Sequence, residues 1–163
     1  MMKRTTFSTL LRACLLLVTL LYIGNGAGAQ THYSFTAYNT DWGFVQKEVM
    51  QIMQDKGGEM WFATWDGLYR YDGSRFSNYK ARPGDGVRME SNRLETICAD
   101  GSNIWMRGYN GSVTRFDTRM NSIDNLPGQP FIATSIQPIS SGGIWITADD
   151  GRIYRAWPKA TTR

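Results

Sequence analysis

Side chains able to do acid–base, nucleophilic or metal chemistry are scarce in this sequence of 163 residues, which contains one His and two Cys. Cys14 lies in an apolar leading segment and Cys98 is then alone, so neither a disulfide framework nor a thiolate metal site can be built within the chain. Flanked by Ile97 and Ala99, Cys98 reads as a small buried hydrophobe, and His32, isolated near the start, reads as inert. Asp66, Asp72 and Asp150 each precede a Gly, a turn pairing, so no facing pair of carboxylates suited to glycoside hydrolysis is evident. We expect no catalytic residue, no metal and no cofactor. What the sequence offers instead is flat aromatics with charged neighbours: Trp42, Trp65 and Tyr109, with Arg82 and Arg88 beside Asp85 and Glu90. Aromatic faces stack on the C–H faces of sugar rings while charged side chains serve the hydroxyls, so Trp42, Trp65, Tyr109, Arg82 and Arg88 form a candidate binding set for an oligosaccharide. The plainer role for Trp65 and Tyr109 is to cover the end of a core.

A repeat positions these residues. Met60-Trp61-Phe62-Ala63-Thr64-Trp65-Asp66-Gly67, Ile104-Trp105-Met106-Arg107-Gly108-Tyr109-Asn110-Gly111 and Ile144-Trp145-Ile146-Thr147-Ala148-Asp149-Asp150-Gly151 share one form: apolar, Trp, apolar, three variable residues, then Asp or Asn and Gly. Trp61 and Trp105 are 44 residues apart and Trp105 and Trp145 are 40 apart. Short β-prone runs alternate with turn pairs inside each copy: Val49 to Gln54, Met60 to Thr64, Leu68 to Tyr71 and Arg75 to Tyr79 in the first. The Asp-Gly and Asn-Gly pairs predict tight type I′ hairpins. Four antiparallel strands in about 40 to 45 residues make the unit of a β-propeller blade. The expected class is all-β, a partial β-propeller of about three four-stranded antiparallel blades with the third incomplete.

A single four-stranded sheet cannot bury both its faces, so Trp61, Trp105 and Trp145 are expected to pack between neighbouring blades, with Gly67, Gly111 and Gly151 making the turns that follow. Arg70, Arg115 and Arg155 read as strand residues, exposed or ion-paired. Antiparallel order puts the turn between second and third strands on the same rim as the connection between blades, so the candidate aromatics and charges should gather on that rim.

Charge and hydropathy divide the chain. Lys3, Arg4 and Arg12 are the basic groups of the first 29 residues, which contain no acid, so of 18 Lys and Arg only 15 remain to face 14 Asp and Glu. A near-neutral remainder with no basic run gives nucleic acid nothing to bind and excludes that class of partner. The positive start, the apolar run from Ala13 to Ile23 and the small residues Ala27-Gly28-Ala29 have the layout of a signal peptide, cleaved near Ala29. An apolar run that short rises about 16 Å as a helix against roughly 30 Å of hydrocarbon, so no membrane span is expected and the product should be periplasmic or secreted.

The stretch from Gln54 to Phe76, QDKGGEMWFATWDGLYRYDGSRF, resembles the two-component regulator propeller repeat, whose pattern is roughly D-x-x-G-x-[ILM]-W-[FIL]-[AG]-T-x-x-G-L-x-R-[YF]-[DN]-G. The second and third copies depart from it, Arg107-Gly108 replacing the usual small residue and Thr. Tyr33 to Tyr38 and Ser91-Asn92-Arg93-Leu94 are also similar to that family, so the resemblance runs from residue 33 to about 156. It implies the N-terminal piece of the periplasmic sensor of a hybrid two-component histidine kinase. Such sensors continue through more blades, a membrane helix and a kinase, and many respond to oligosaccharides. The domain reading that follows is a signal peptide over 1–29, an N-terminal strand and lead-in over 30–48, blades over 49–82 and 94–126, an incomplete blade over 132–157 and a tail over 158–163. Propellers close with 4 to 8 blades, roughly 160 to 340 residues, so about three blades leave the ring open. Ser34 to Tyr38 would then lack the last-blade partner it should pair with, and the open edges would take missing blades or a second copy. We expect a binding and signalling fragment with no kinase of its own. A secreted propeller lyase or glycoside hydrolase and a passive interaction scaffold are the alternative readings.

Overall fold

The turn glycines set the architecture. The computed structural model describes residues 9, 11–18, 31–84, 89–126 and 128–158. Gly67, Gly111 and Gly151 have φ of 99°, 75° and 79°, while Trp65, Asp66, Tyr109, Asn110, Asp149 and Asp150 do not share the positive sign. None is the type I′ turn that the Asp-Gly pairs suggest: the turns at Gly111 and Gly151 have the pattern of a type I turn with a G1 bulge, while Gly67 pairs directly with Thr64 across a two-residue turn. The closing hydrogen bonds run from Gly111 N to Gly108 O at 2.9 Å and from Gly151 N to Ala148 O at 3.1 Å.

Among the described residues eleven strands form three antiparallel meanders, and these turns join the second strand to the third in each. The first sheet is β1 (Val49–Gln54), β2 (Met60–Thr64), β3 (Gly67–Tyr71) and β4 (Phe76–Tyr79). The second is β5 (Leu94–Asp100), β6 (Asn103–Gly108), β7 (Val113–Asp117) and β8 (Ser122–Asn125). The third has three strands, β9 (Ala133–Pro138), β10 (Ile144–Ala148) and β11 (Ile153–Ala156). The protein is all-β, a partial β-propeller whose third blade is incomplete among the described residues. In every sheet the pairing of first and second strands carries a bulge, at Val49/Gln51, Leu94/Thr96 and Thr147/Ala148.

Alternation along the second strand of each sheet decides which face meets which neighbour. Trp61, Ala63 and Leu68 of the first sheet join Leu94, Ile97, Ile104, Met106 and Phe116 of the second in one core. The Trp61 ring meets Phe116 edge-on at 5.7 Å. One residue along β6, Trp105 faces the other way, into a second core with Ala133, Ile136, Ile144 and Ile146 of the third sheet. Polar bonds cross both seams: Ile97 N donates to Gln51 Oε1 at 2.8 Å, and Gly143 N to Asp100 Oδ2 at 2.7 Å.

Trp145 departs from expectation. Trp61 and Trp105 are buried at 0% and 2% exposure, but Trp145 is 46% exposed. The cause is the same alternation: Ile144 and Ile146 point into the second core, so Trp145 points away from it, and no described sheet follows to cover that face. The direction is the one its twins take toward their neighbours.

The chain divides into two units, Met1–Ala37 and Tyr38–Arg163. In the first, residues 11–18 are helical and residues 31–37 are extended. The expected cleavage site near Ala29 and most of the apolar run lie outside the described residues. No described helix is long and apolar enough to cross a membrane. The expected strand at Ser34 to Tyr38 does not form: residues 31–39 join no ladder, and Tyr33 and Phe35 are 79% and 94% exposed. An extended segment becomes a strand only when a neighbour takes its backbone hydrogen bonds.

Candidate functional site

Two of the candidate aromatics sit on the rim where second strands turn into third strands. Trp65 follows β2 and Tyr109 follows β6, and both are exposed, at 42% and 61%. Arg93 lies between them. Its guanidinium carbon is 4.3 Å from the Trp65 ring centroid and 4.6 Å from that of Tyr109. The backbone beneath holds the three segments in register, Gly67 N donating to Asn92 O at 2.7 Å and Tyr109 N to Arg93 O at 2.8 Å. Asn92 in turn clasps Ala81 through both its amide groups, accepting from Ala81 N at 2.8 Å and donating to Ala81 O at 2.9 Å. Arg93 is thus carried on a loop whose foot is pinned, which keeps its long side chain over the rim.

Around the stack the charges are mostly satisfied. Lys80 pairs with Asp66, which also accepts from Gln46 Nε2 at 3.2 Å. Beside Tyr109, the next residue Asn110 joins Glu90, Ser112 and Gln129 around an open hollow of about 350 Å³, at the small end of ligand-binding clefts. Gln129 braces that hollow, accepting from Val113 N at 2.9 Å and donating to Gly111 O at 2.7 Å. A flat ring against Trp65 or Tyr109, with polar groups alongside, is an arrangement that suits a sugar.

Trp42 is not brought to this rim. Trp42 ends a 3-10 helix, Thr40–Trp42, and packs on Tyr38, which packs on Tyr71 and Phe76. Tyr71 closes β3 and Phe76 opens β4, so Trp42 belongs to the opposite end of the first sheet from Trp65. The lead-in runs the length of that sheet, Phe44 covering Phe62, Tyr69 and Phe76 before Gln46 reaches Asp66. Arg82 leaves the outer strand β4 and lines a separate hollow with Tyr79, Phe116 and Ile123. Arg88 lies outside the described residues. Arg93, which carries the stack, was absent from the candidate set. Its signal was its place, next to the first strand of the second sheet on a connection that must reach this rim.

The repeated arginines face the tryptophans across the ladder: Trp61 opposite Arg70, Trp105 opposite Arg115, Trp145 opposite Arg155. Arg70 pairs with Glu59, Arg115 with Asp124 at 2.9 Å, and the off-register Arg107 with Glu95. The bond to Glu59 raises Arg70 further above its ordinary range, opposed by burial. Gly67 and Gly111 are tightly built in, since a Cβ would lie 2.4 Å from Tyr79 O and 2.3 Å from Ile132 Cγ2. At Gly151 a Cβ would meet nothing within 4 Å. Among the described residues no group of three or more His, Cys, Asp or Glu converges as a metal site.

No protein-family model matches the chain. Histidine kinase P4 of Formosa agariphila is 34% identical over 59 residues, which are 36% of this chain and 4% of that protein. The extracellular domain of a protein described as a hybrid two component system of B. thetaiotaomicron is 26% identical, with a TM-score of 0.58 over 68% of this chain and 17% of that one. A virginiamycin B lyase from Staphylococcus aureus aligns at 17% identity with a TM-score of 0.45, over 68% of this chain and 41% of the lyase. The chain is therefore similar to the extracellular part of a two-component system. It spans 4%, 17% and 41% of the lengths of these three proteins, and the lyase likeness is too loose to bear on activity.

Proposed function

We propose that the chain is the ligand-sensing propeller segment of a two-component sensor, exported across the inner membrane, and that its ligand is an oligosaccharide. The observation that carries the sensor reading is the likeness, in both sequence and fold, to the extracellular domain of a hybrid two component system. Support for the ligand class comes from the rim, where two exposed aromatic faces stand beside the polar hollow at Glu90, Asn110 and Ser112. In this reading the chain binds and signals, and the kinase chemistry of its relative belongs to other segments. The exposed face with Trp145, Ile153 and Trp157 is taken by further blades of the same repeat or, without them, by a second copy of the chain.

Calorimetric titration of the purified chain with neutral and acidic oligosaccharides tests the proposal. Binding that weakens at least about tenfold in Trp65→Ala, as expected when an anchoring aromatic is truncated, supports it. Binding indifferent to that change removes the rim from the site, and no binding by any oligosaccharide overturns the ligand class. Export is checked separately by N-terminal sequencing of the mature product, which should begin at Gln30.

A further inference from the structure

We infer that Arg93 is a carboxylate-recognition residue and that the oligosaccharide bound at this rim is an acidic one, carrying uronate groups. The inference rests on the oligosaccharide reading above and narrows it. A guanidinium has two kinds of surface: faces that stack on aromatic rings, and an edge of N–H donors whose fork fits a carboxylate. In Arg93 the ring centroids of Trp65 and Tyr109 stand 4.3 and 4.6 Å from the guanidinium carbon, so the stacking surface is in use, while the residue is exposed and leaves its donor edge to solvent. Arg70, Arg107 and Arg115 each spend that edge on an internal carboxylate, Glu59, Glu95 or Asp124. Arg93 meets no carboxylate among the described residues, and the nearby Asp66 is already paired with Lys80.

The stack also pre-organises the charge. A free Arg side chain must give up rotamer freedom before it can bind bidentately, whereas here the two rings hold the guanidinium above a loop foot fixed by Asn92. A uronate ring laid along the rim places its carboxylate on the Arg93 edge and its hydroxyls toward Asn110 and Glu90 in the adjoining hollow. A neutral sugar leaves that edge to water.

The test is calorimetry of the full chain with trigalacturonate and trimannuronate, each against its methyl ester, which keeps the rings and removes the charge. One acid should bind roughly 10- to 100-fold tighter than its ester, the range for charge-assisted hydrogen bonds. In Arg93→Gln that preference, read as the ratio of acid to ester affinity within the variant, should fall to within about threefold. Thermal unfolding checks that the variant is folded, and Arg93→Lys, which keeps the charge without the fork, should keep part of the preference. Equal binding of acid and ester, or a preference that survives in Arg93→Gln, overturns the role of Arg93 and leaves the oligosaccharide reading standing. Failure of all four saccharides to bind overturns the acidic-sugar reading, and the oligosaccharide reading falls with it only if the neutral oligosaccharides of the titration above also fail to bind.

Discussion

The indole Nε1–H of Trp61 donates to Asp55 Oδ2 at 2.8 Å, tying the fully buried ring of the first sheet to the turn that opens its own strand. The other oxygen of Asp55 accepts from Gly57 N at 2.8 Å and Glu59 N at 3.0 Å. The second sheet solves the same problem differently. Asp100 gives its carboxylate to Gly143 N of the third sheet, and Trp105 Nε1 is buried with no acceptor among the described residues. One repeated aromatic is therefore anchored within its blade, and the next is held by packing alone while its turn acid joins two blades.

Removing Asp55 should for that reason be costly. Asp55→Ala leaves the Trp61 N–H and two turn amides without their acceptor, and the expected loss is about 2–3 kcal/mol, the cost of orphaning buried donors. Asp55→Asn, which keeps one carbonyl oxygen, should lose less. Urea unfolding followed by Trp emission measures both, and a loss under half a kcal/mol in Asp55→Ala would contradict the account.

The three tryptophans should differ in worth although their sequence contexts match. Trp61→Ala opens a cavity in a closed seam and should cost about 3–5 kcal/mol. Trp145→Ala removes a ring that is 46% exposed, so about 1 kcal/mol is expected from the partial burial lost. Chemical denaturation of the two variants side by side reads the difference. Equal losses would mean that the face of Trp145 is covered in solution.

Burial pushes the Cys98 thiol up from its ordinary 9.0 to about 12, with Asp100 adding to the rise. The folded chain then holds its proton where the unfolded chain has lost it, so this contribution is complete below about pH 9 and is lost as pH rises toward 12. Between those values stability should fall by at most about 1.4 kcal/mol per pH unit from this group. In a Cys14→Ser background, a thiol reagent at about pH 8 should modify Cys98 only as fast as the protein opens. Cys98→Ala should flatten the alkaline slope, and a slope unchanged by that substitution would assign it to other groups.

Much of the architecture was legible because it follows from local rules. Apolar-Trp-apolar runs bounded by Asp-Gly or Asn-Gly identify β2, β6 and β10, and the 40- to 44-residue spacing requires a blade-like unit. What was not legible depends on partners distant in sequence. Asp-Gly fits both a type I′ turn and a type I turn with a bulge, and the flanking ladder chooses. Trp42 looked like a neighbour of Trp65 because nothing in its own segment tells which way the lead-in crosses the first sheet. Ser34 to Tyr38 has strand composition but no ladder. Arg93 acquires its environment only when three separate segments, ending at Trp65, Arg93 and Tyr109, reach one rim.

Gly111 and Gly151 supply the last test, because backbone conformation and close packing separate there. Both need a left-handed φ, 75° and 79°, which costs an Ala about 1–2 kcal/mol at either site. Only at Gly111 does a Cβ also collide, 2.3 Å from Ile132 Cγ2 and 3.0 Å from Ala133 N, where the lead into the third sheet crosses the turn. That crossing is itself bonded, Ala133 N donating to Gly111 O at 2.9 Å, so the strand cannot retreat without losing that hydrogen bond. Gly111→Ala should therefore cost about 1–3 kcal/mol more than Gly151→Ala, the usual range for overpacking. Thermal or urea unfolding of the pair decides it. If the two losses match, the third sheet is not seated against the second through this turn.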